Sequence, residues 1–150
     1  EYVDALIQDF HKQTGTVVGR KIQTIFMGGG TPSLISPAGI RRLLDALTES
    51  GLLMADVEIT LEANPGTLDE SYFEAYLSAG INRLSIGVQS FDDQLLQNIG
   101  RIHCSAQVRS AISGAQRAGF ERINLDLMYG LPGQSLKQSK SDIEQALASG

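Results

Sequence analysis

Ile123-Asn124-Leu125-Asp126-Leu127, running into Met128-Tyr129-Gly130-Leu131-Pro132, is the stretch that decides the fold. Its strict alternation reads as a β-strand with one apolar and one polar face. An acid in mid-strand and a glycine–proline turn at the carboxyl end set it apart from an ordinary core strand. The pattern recurs three times upstream. Ile25-Phe26-Met27 runs into Gly28-Gly29-Gly30-Thr31-Pro32, Ile59-Thr60-Leu61 into Glu62-Ala63-Asn64-Pro65-Gly66, and Leu84-Ser85-Ile86-Gly87-Val88 into Gln89-Ser90. Four polar strand ends in succession predict one site at the carboxyl ends of parallel strands, where barrel enzymes place their chemistry.

Between the strands lie helical patterns, at roughly 1–13, 37–50, 69–79, 92–99, 105–118 and 135–149, with strands at roughly 22–27, 57–63, 83–88 and 122–128. Ser36 before Pro37 is an N-cap with proline at the first helical position. Asp69 or Thr67, Asp92 and Ser105 are the expected caps of the next three helices. Gly51, Gly80 and Gly119 are the expected stops. Ala79-Gly80-Ile81-Asn82-Arg83 and Ala118-Gly119-Phe120-Glu121-Arg122 are near copies, each a helix end turning into a strand. Alternating β and α without hairpin signals predicts an α/β fold with a parallel sheet covered by helices.

Period two assigns Ile59, Leu61, Ala63, Leu84, Ile86, Val88, Ile123, Leu125 and Leu127 to the face that packs on helices. The opposite face carries Thr60, Glu62, Asn64, Ser85, Gly87, Gln89, Asn124, Asp126 and Met128. A closed eight-stranded barrel fills its interior with branched apolar side chains, and a doubly wound sheet is apolar on both faces. Neither suits Glu62 and Asp126, which would be buried charges without partners. Part of an open (β/α) barrel, with four parallel strands, outer helices and a polar ligand on the inner face, removes the conflict.

The bulk numbers fit one domain. The chain has 150 residues, 42% hydrophobic, with net charge −5. It carries no basic run of the kind nucleic acid demands and no apolar stretch near the ~20 residues of a membrane helix. The single cysteine, Cys104, excludes an internal disulfide framework and fits a reducing, cytoplasmic compartment. The chain starts at Glu1 inside a helical pattern and stops inside another, and it reads as part of a longer protein.

The site candidates follow from the strand ends. The Gly28–Gly30 run lets backbone N–H groups approach an anion, and Thr31 adds a hydroxyl; a plain tight turn is the alternative. Glu62 suits ribose hydroxyls or an ammonium, or else a rim contact. Gln89 and Ser90 end the third strand, where the Gln89 amide is a recognition group and not a catalyst. Arg101 can fork onto a carboxylate, or lie on the surface. Asp126 is hard to explain without a ligand. His103 and Cys104 adjoin, but no other His or Cys stands at metal-ligand spacing. Nothing resembles a Ser-His-Asp or Cys-His triad. Phe73, Tyr76 and Phe91 are expected core residues.

Taken together these segments resemble a known family. Phe26-Met27-Gly28-Gly29-Gly30-Thr31-Pro32-Ser33-Leu34, Leu61-Glu62-Ala63-Asn64-Pro65-Gly66-Thr67, Gly87-Val88-Gln89-Ser90-Phe91-Asp92, Gly100-Arg101-Ile102-His103 and Asn124–Gln134 are similar, in order, to the radical S-adenosylmethionine (SAM) proteins of the oxygen-independent coproporphyrinogen III oxidase family. The Asn-Pro-Gly, Gln-Ser-Phe and Leu-Pro-Gly-Gln variants resemble its HemW haem-chaperone branch. The resemblance implies a TIM-barrel-like partial barrel, a four-iron four-sulfur cluster and bound SAM. It implies that Gly29, Gly30, Thr31, Glu62, Gln89, Arg101 and Asp126 surround one or two SAM molecules, with the glycines at the methionyl part, Glu62 at the ribose and Arg101 at a carboxylate.

The family's three cluster cysteines belong to a first strand that precedes Glu1. One cysteine cannot replace them, so this stretch alone is expected to hold no cluster and to be inactive. The 150 residues are expected to be part of a single radical SAM core domain, without its first strand and C-terminal region. Three functions follow. One is a radical enzyme acting on porphyrinogen propionates; one is a carrier that binds and delivers haem; the third is a non-radical barrel enzyme using Glu62 and Asp126 as acid and base. The variants favour the carrier. The strand Ile25-Phe26-Met27 is expected to leave an open edge, so that the chain self-associates, borrows a segment from a neighbour or is disordered near 14–22.

Overall fold

The computed structural model describes residues 1–67 and 69–150. Its elements run α1 (Tyr2–Gln13), β1 (Ile22–Met27), α2 (Pro37–Glu49), β2 (Leu53–Ala63), α3 (Phe73–Ala79), β3 (Arg83–Gln89), α4 (Asp93–Asn98), α5 (Ser105–Arg117), β4 (Ile123–Leu127) and α6 (Leu136–Ala148), with short 3-10 turns at Thr14–Val17, Pro32–Leu34 and Glu70–Tyr72. The strands form one sheet in the order β1-β2-β3-β4, and every neighbouring pair is parallel. This is the α/β arrangement of a partial (β/α) barrel. Among the described residues no helix is long and apolar enough to cross a membrane.

The register lines up the two faces. Met27, Leu61 and Leu84 stand side by side, as do Ala63, Ile86 and Leu125. These rows meet α2, α3 and α5 in one core that includes Ile40, Leu44, Phe73, Tyr76, Val108 and Ile112. On the opposite face Glu62, Ser85 and Asn124 form a row across three strands. The Tyr76 hydroxyl lies 2.9 and 3.0 Å from the carbonyl oxygens of Ser33 and Ile35. It anchors the turn after β1 to α3, and burial pushes its pKa up to about 12.

The amino ends of the strands are tied by charge. The two near-copy segments close their helices alike, with Ile81 N–H on Tyr76 O and Phe120 N–H on Ala115 O, both 3.1 Å. Each then delivers an arginine to one acid, since Arg83 and Arg122 both lie 3.3 Å from Glu58 Oε2. Asn82 takes the Ile59 N–H and donates to Val57 O, fixing β2 against the turn into β3.

Three expectations about local structure need correction. β2 begins at Leu53, four residues before the expected start at 57, because Ile22 pairs with Leu53 before the register slips to Thr24 against Glu58. The N-cap of α5 is Cys104, not Ser105, whose N–H is taken by Asp93 Oδ1 at 2.7 Å. Asp69 caps the 3-10 turn at Glu70–Tyr72, which leads into α3, and not α3 itself. Ser36 and Asp92 cap α2 and α4 as expected.

Among the described residues the β1 edge pairs only with β2, and Phe26 on its inner face is 63% exposed. Ile86 sits fully buried at the centre of the core. Ile86→Ala is expected to lower unfolding free energy by about 2–5 kcal/mol. Arg122→Ala, at the exposed limb of the Glu58 pair, should cost about 1 kcal/mol or less. Urea titration followed by circular dichroism measures both.

Candidate functional site

The carboxyl ends of the strands converge on a cleft of about 160 Å³, lined by Gly30, Thr31, Pro32, Glu62, Ala63, Asn64, Gly87, Gln89, Arg101 and Asp126. Six of the seven residues singled out from the sequence therefore share one cavity wall. The seventh, Gly29, is tied to it through its backbone N–H, which donates to Glu62 Oε2 at 3.1 Å. Gly29 and Gly30 take φ of 79° and 49°, the left-handed turn that only glycine adopts without strain. Gly29 also borders a second hollow, between Phe26 and Tyr2 of α1.

Both carboxylates of the inner face have hydrogen-bond partners and neither is fully buried, as an open inner face requires. Asp126 accepts from Ser85 Oγ at 2.8 Å and from Asn124 Nδ2 at 2.7 Å, and Asn124 also donates to Ser85 Oγ at 3.1 Å. These donors, like Gly29 N–H on Glu62, are neutral. Among the described residues no cationic side chain pairs with Glu62 or Asp126, and no carboxylate pairs with Arg101. The cleft thus holds two acids and one guanidinium that leave one another free.

Gln89 is held unusually. It is the one non-glycine residue at positive φ among those described, at 65°. Ser90 N–H closes onto Val88 O at 2.8 Å, a three-residue turn of the strained hand. Such a conformation costs about 1–3 kcal/mol. It bends the chain so that Gln89 O still takes Met128 N–H at 2.9 Å, while β3 breaks register between Ile86 and Gln89. A side chain at Gly87 would lie 3.0 Å from Gln89 Nε2, so this glycine leaves room for the amide.

Ser90 departs from expectation. Its side chain is fully buried and its hydroxyl bonds Asp142 on α6, at 3.0 and 2.9 Å to the two oxygens. It is absent from the cleft. Asp142 escaped the sequence reading, because it lies in a polar helical stretch, Lys137-Gln138-Ser139-Lys140-Ser141-Asp142, with nothing to mark it as buried. Met128 lies beyond β4 and is exposed.

The residues fit SAM in chemical type. Two acids and an amide suit its ammonium, sulfonium and ribose hydroxyls, and Arg101 suits its carboxylate. An iron–sulfur cluster does not fit these residues, since it takes several thiolates. Cys104 lies at the start of α5, outside the cleft, and no group of three potential metal ligands occurs among the described residues.

Comparison with known proteins bears on the family and the fold. The family model described as "Radical SAM superfamily" matches residues 7–146. The heme chaperone HemW of Escherichia coli is 46% identical over 147 residues, covering 98% of this chain and 39% of that protein. HemW of Haemophilus influenzae is 44% identical over 151 residues, with the same coverage of 98% and 39%. The chain thus spans 39% of the length of these curated relatives. Among solved structures, coproporphyrinogen III oxidase (HemN) from Escherichia coli, described as a radical SAM enzyme, superposes with TM-score 0.86 at 30% identity, covering 99% of this chain and 34% of that one.

The back of the Gln89 turn generates a pH prediction. His103 is buried, with Nε2 3.2 Å from Val88 O and Nδ1 without a partner. Burial lowers its pKa from the ordinary value, outweighing the bond to Val88, and Arg101 adds to the lowering. The folded state therefore prefers neutral His103. Its stabilising effect is complete above the unfolded value of about 6.5 and is lost as pH falls below it. The melting temperature should drop between pH 7 and pH 5, and His103→Gln, which retains an N–H donor, should remove part of that drop. Differential scanning calorimetry across this range checks it.

Proposed function

The chain belongs to the radical SAM superfamily, and we propose that it forms the SAM-binding wall of a HemW-type haem chaperone. The carrying observation is the convergence of Glu62, Gln89, Arg101 and Asp126, from four separate segments, on one cleft beside the Gly29–Thr31 turn. In this reading Arg101 takes the methionyl carboxylate, Gly29, Gly30 and Thr31 border the methionyl part, and Glu62 accepts from the ribose. Gln89 and Asp126 complete the polar wall. The 150 residues are then part of one radical SAM core domain in a cytoplasmic protein.

When bound, SAM supplies a sulfonium whose carbon–sulfur bond this class cleaves with an electron from an iron–sulfur cluster. This chain's residues do not hold that cluster, so their own task is to bind and orient. Arg101 fixes one end of the cofactor by charge and the Glu62 carboxylate fixes a diol, which sets the direction of the molecule between them.

The higher identity to heme chaperones than to coproporphyrinogen III oxidase supports the carrier over the oxidase. The oxidase is the second reading, favoured by the close superposition on that enzyme over nearly the whole chain. Haem titration beside coproporphyrinogen turnover, on the full-length protein, separates the two.

Calorimetric titration of the chain with SAM should show saturable binding. Glu62→Ala and Arg101→Ala should each weaken it about tenfold or more, as expected for charge-assisted bonds of roughly 1.5–3 kcal/mol. Unchanged affinity in both variants would reject this cleft as the site.

A further inference from the structure

We propose that Asp142 is a positioning residue for cofactor recognition, setting Gln89 through the buried bonds that it makes to Ser90 and Phe91. The proposal rests on the SAM reading of the cleft for its ligand and on the geometry alone for its mechanism. Asp142 projects from α6, is only 2% exposed, and has no cationic partner among the described residues. A carboxylate so placed is costly, and helix packing alone is met more cheaply by an apolar residue.

What the carboxylate gains is a set of donors from two site loops. It accepts from Ser90 Oγ, from Phe91 N–H at 2.8 Å and from Gln134 Nε2 at 3.4 Å. Ser90 Oγ in turn accepts Asp92 N–H at 3.0 Å. Gln134 closes its own loop by taking Leu131 N–H at 3.2 Å. The residues directly after Gln89 are therefore pinned at both amide and hydroxyl, which stabilises a positive φ that the glutamine would not choose alone. Val88 O, the acceptor that closes the turn, is held from behind by His103. An asparagine at 142 keeps one acceptor oxygen instead of two, so it cannot serve both loops with equal geometry.

The test is a double-mutant cycle on the whole chain, with SAM as titrant. Asp142→Asn should weaken binding roughly tenfold, within the usual coupling range. In a Gln89→Ala background the same change should weaken it no further, while the fall in melting temperature persists in both backgrounds. A merely structural Asp142 would weaken binding equally in both, which would overturn the proposal.

Ligand-free spectra give an independent readout. The amide shift of Phe91 and the backbone coupling constant of Gln89 should move in Asp142→Asn and in the milder Ser90→Ala. If they stay in place in Ser90→Ala, the pinning is refuted whether or not Asp142→Asn folds. A wild-type chain that binds no SAM would sink the ligand reading instead, and the spectra then decide alone whether Asp142 holds the turn.

Discussion

Two carboxylates on the inner face of a parallel sheet, balanced by neutral donors alone, are the constraint from which the architecture follows. Glu62 takes a backbone N–H and Asp126 takes a hydroxyl and an amide. Such bonds hold an acid in place without cancelling its charge, so the face cannot be sealed under apolar helices. The helices instead pack on the other face, where Leu61, Leu84 and Ile86 are fully buried against α2, α3 and α5. One apolar and one polar face make a curved, one-sided βα layer, and its concave side becomes a cleft.

The same division explains what the sequence disclosed. Period two assigned the inner and outer rows of β2, β3 and β4, because a one-residue slip would exchange the faces. That placed Glu62, Gln89 and Asp126 on one wall from the sequence alone. Arg101 was harder, since a loop arginine carries no periodicity, and only the family resemblance raised it above a surface residue. Ser90 stands beside Gln89 at a polar strand end, and nothing in the sequence marks its hydroxyl as buried. The left-handed turn at Gln89 and the bond from Ser90 to Asp142 were both illegible, since positive φ at a glutamine has no sequence signature and Asp142 is remote in the chain.

Asp142 was illegible for a different reason. Its partners Ser90 and Phe91 lie 52 and 51 positions earlier, and its own neighbourhood is polar enough to pass for a solvated helix face. Capping shows the same limit on a smaller scale. Ser105 has the better side chain for an N-cap, yet Cys104 takes the position because Asp93, twelve residues back, already claims the Ser105 N–H. Local propensity ranks candidates, and tertiary bonds choose among them.

The site's polar ties join successive βα units. Gly29 with Glu62 links the first to the second, Ser85 with Asp126 the third to the fourth, and Ser90 with Asp142 the third to the last helix. Gln138 with Asp92 and Asn98 with Pro132 O repeat that last connection around the rim. The outer core could tolerate exchange of one branched apolar residue for another of similar volume. These rim bonds have no such latitude, because each one fixes a donor to a specific acceptor across a strand boundary. Order at the mouth of the cleft is therefore not inherited from the sheet. It is added by a second, polar layer of contacts, whose members need only be correct relative to each other, and the strained turn at Gln89 is stable because that layer holds it on both sides.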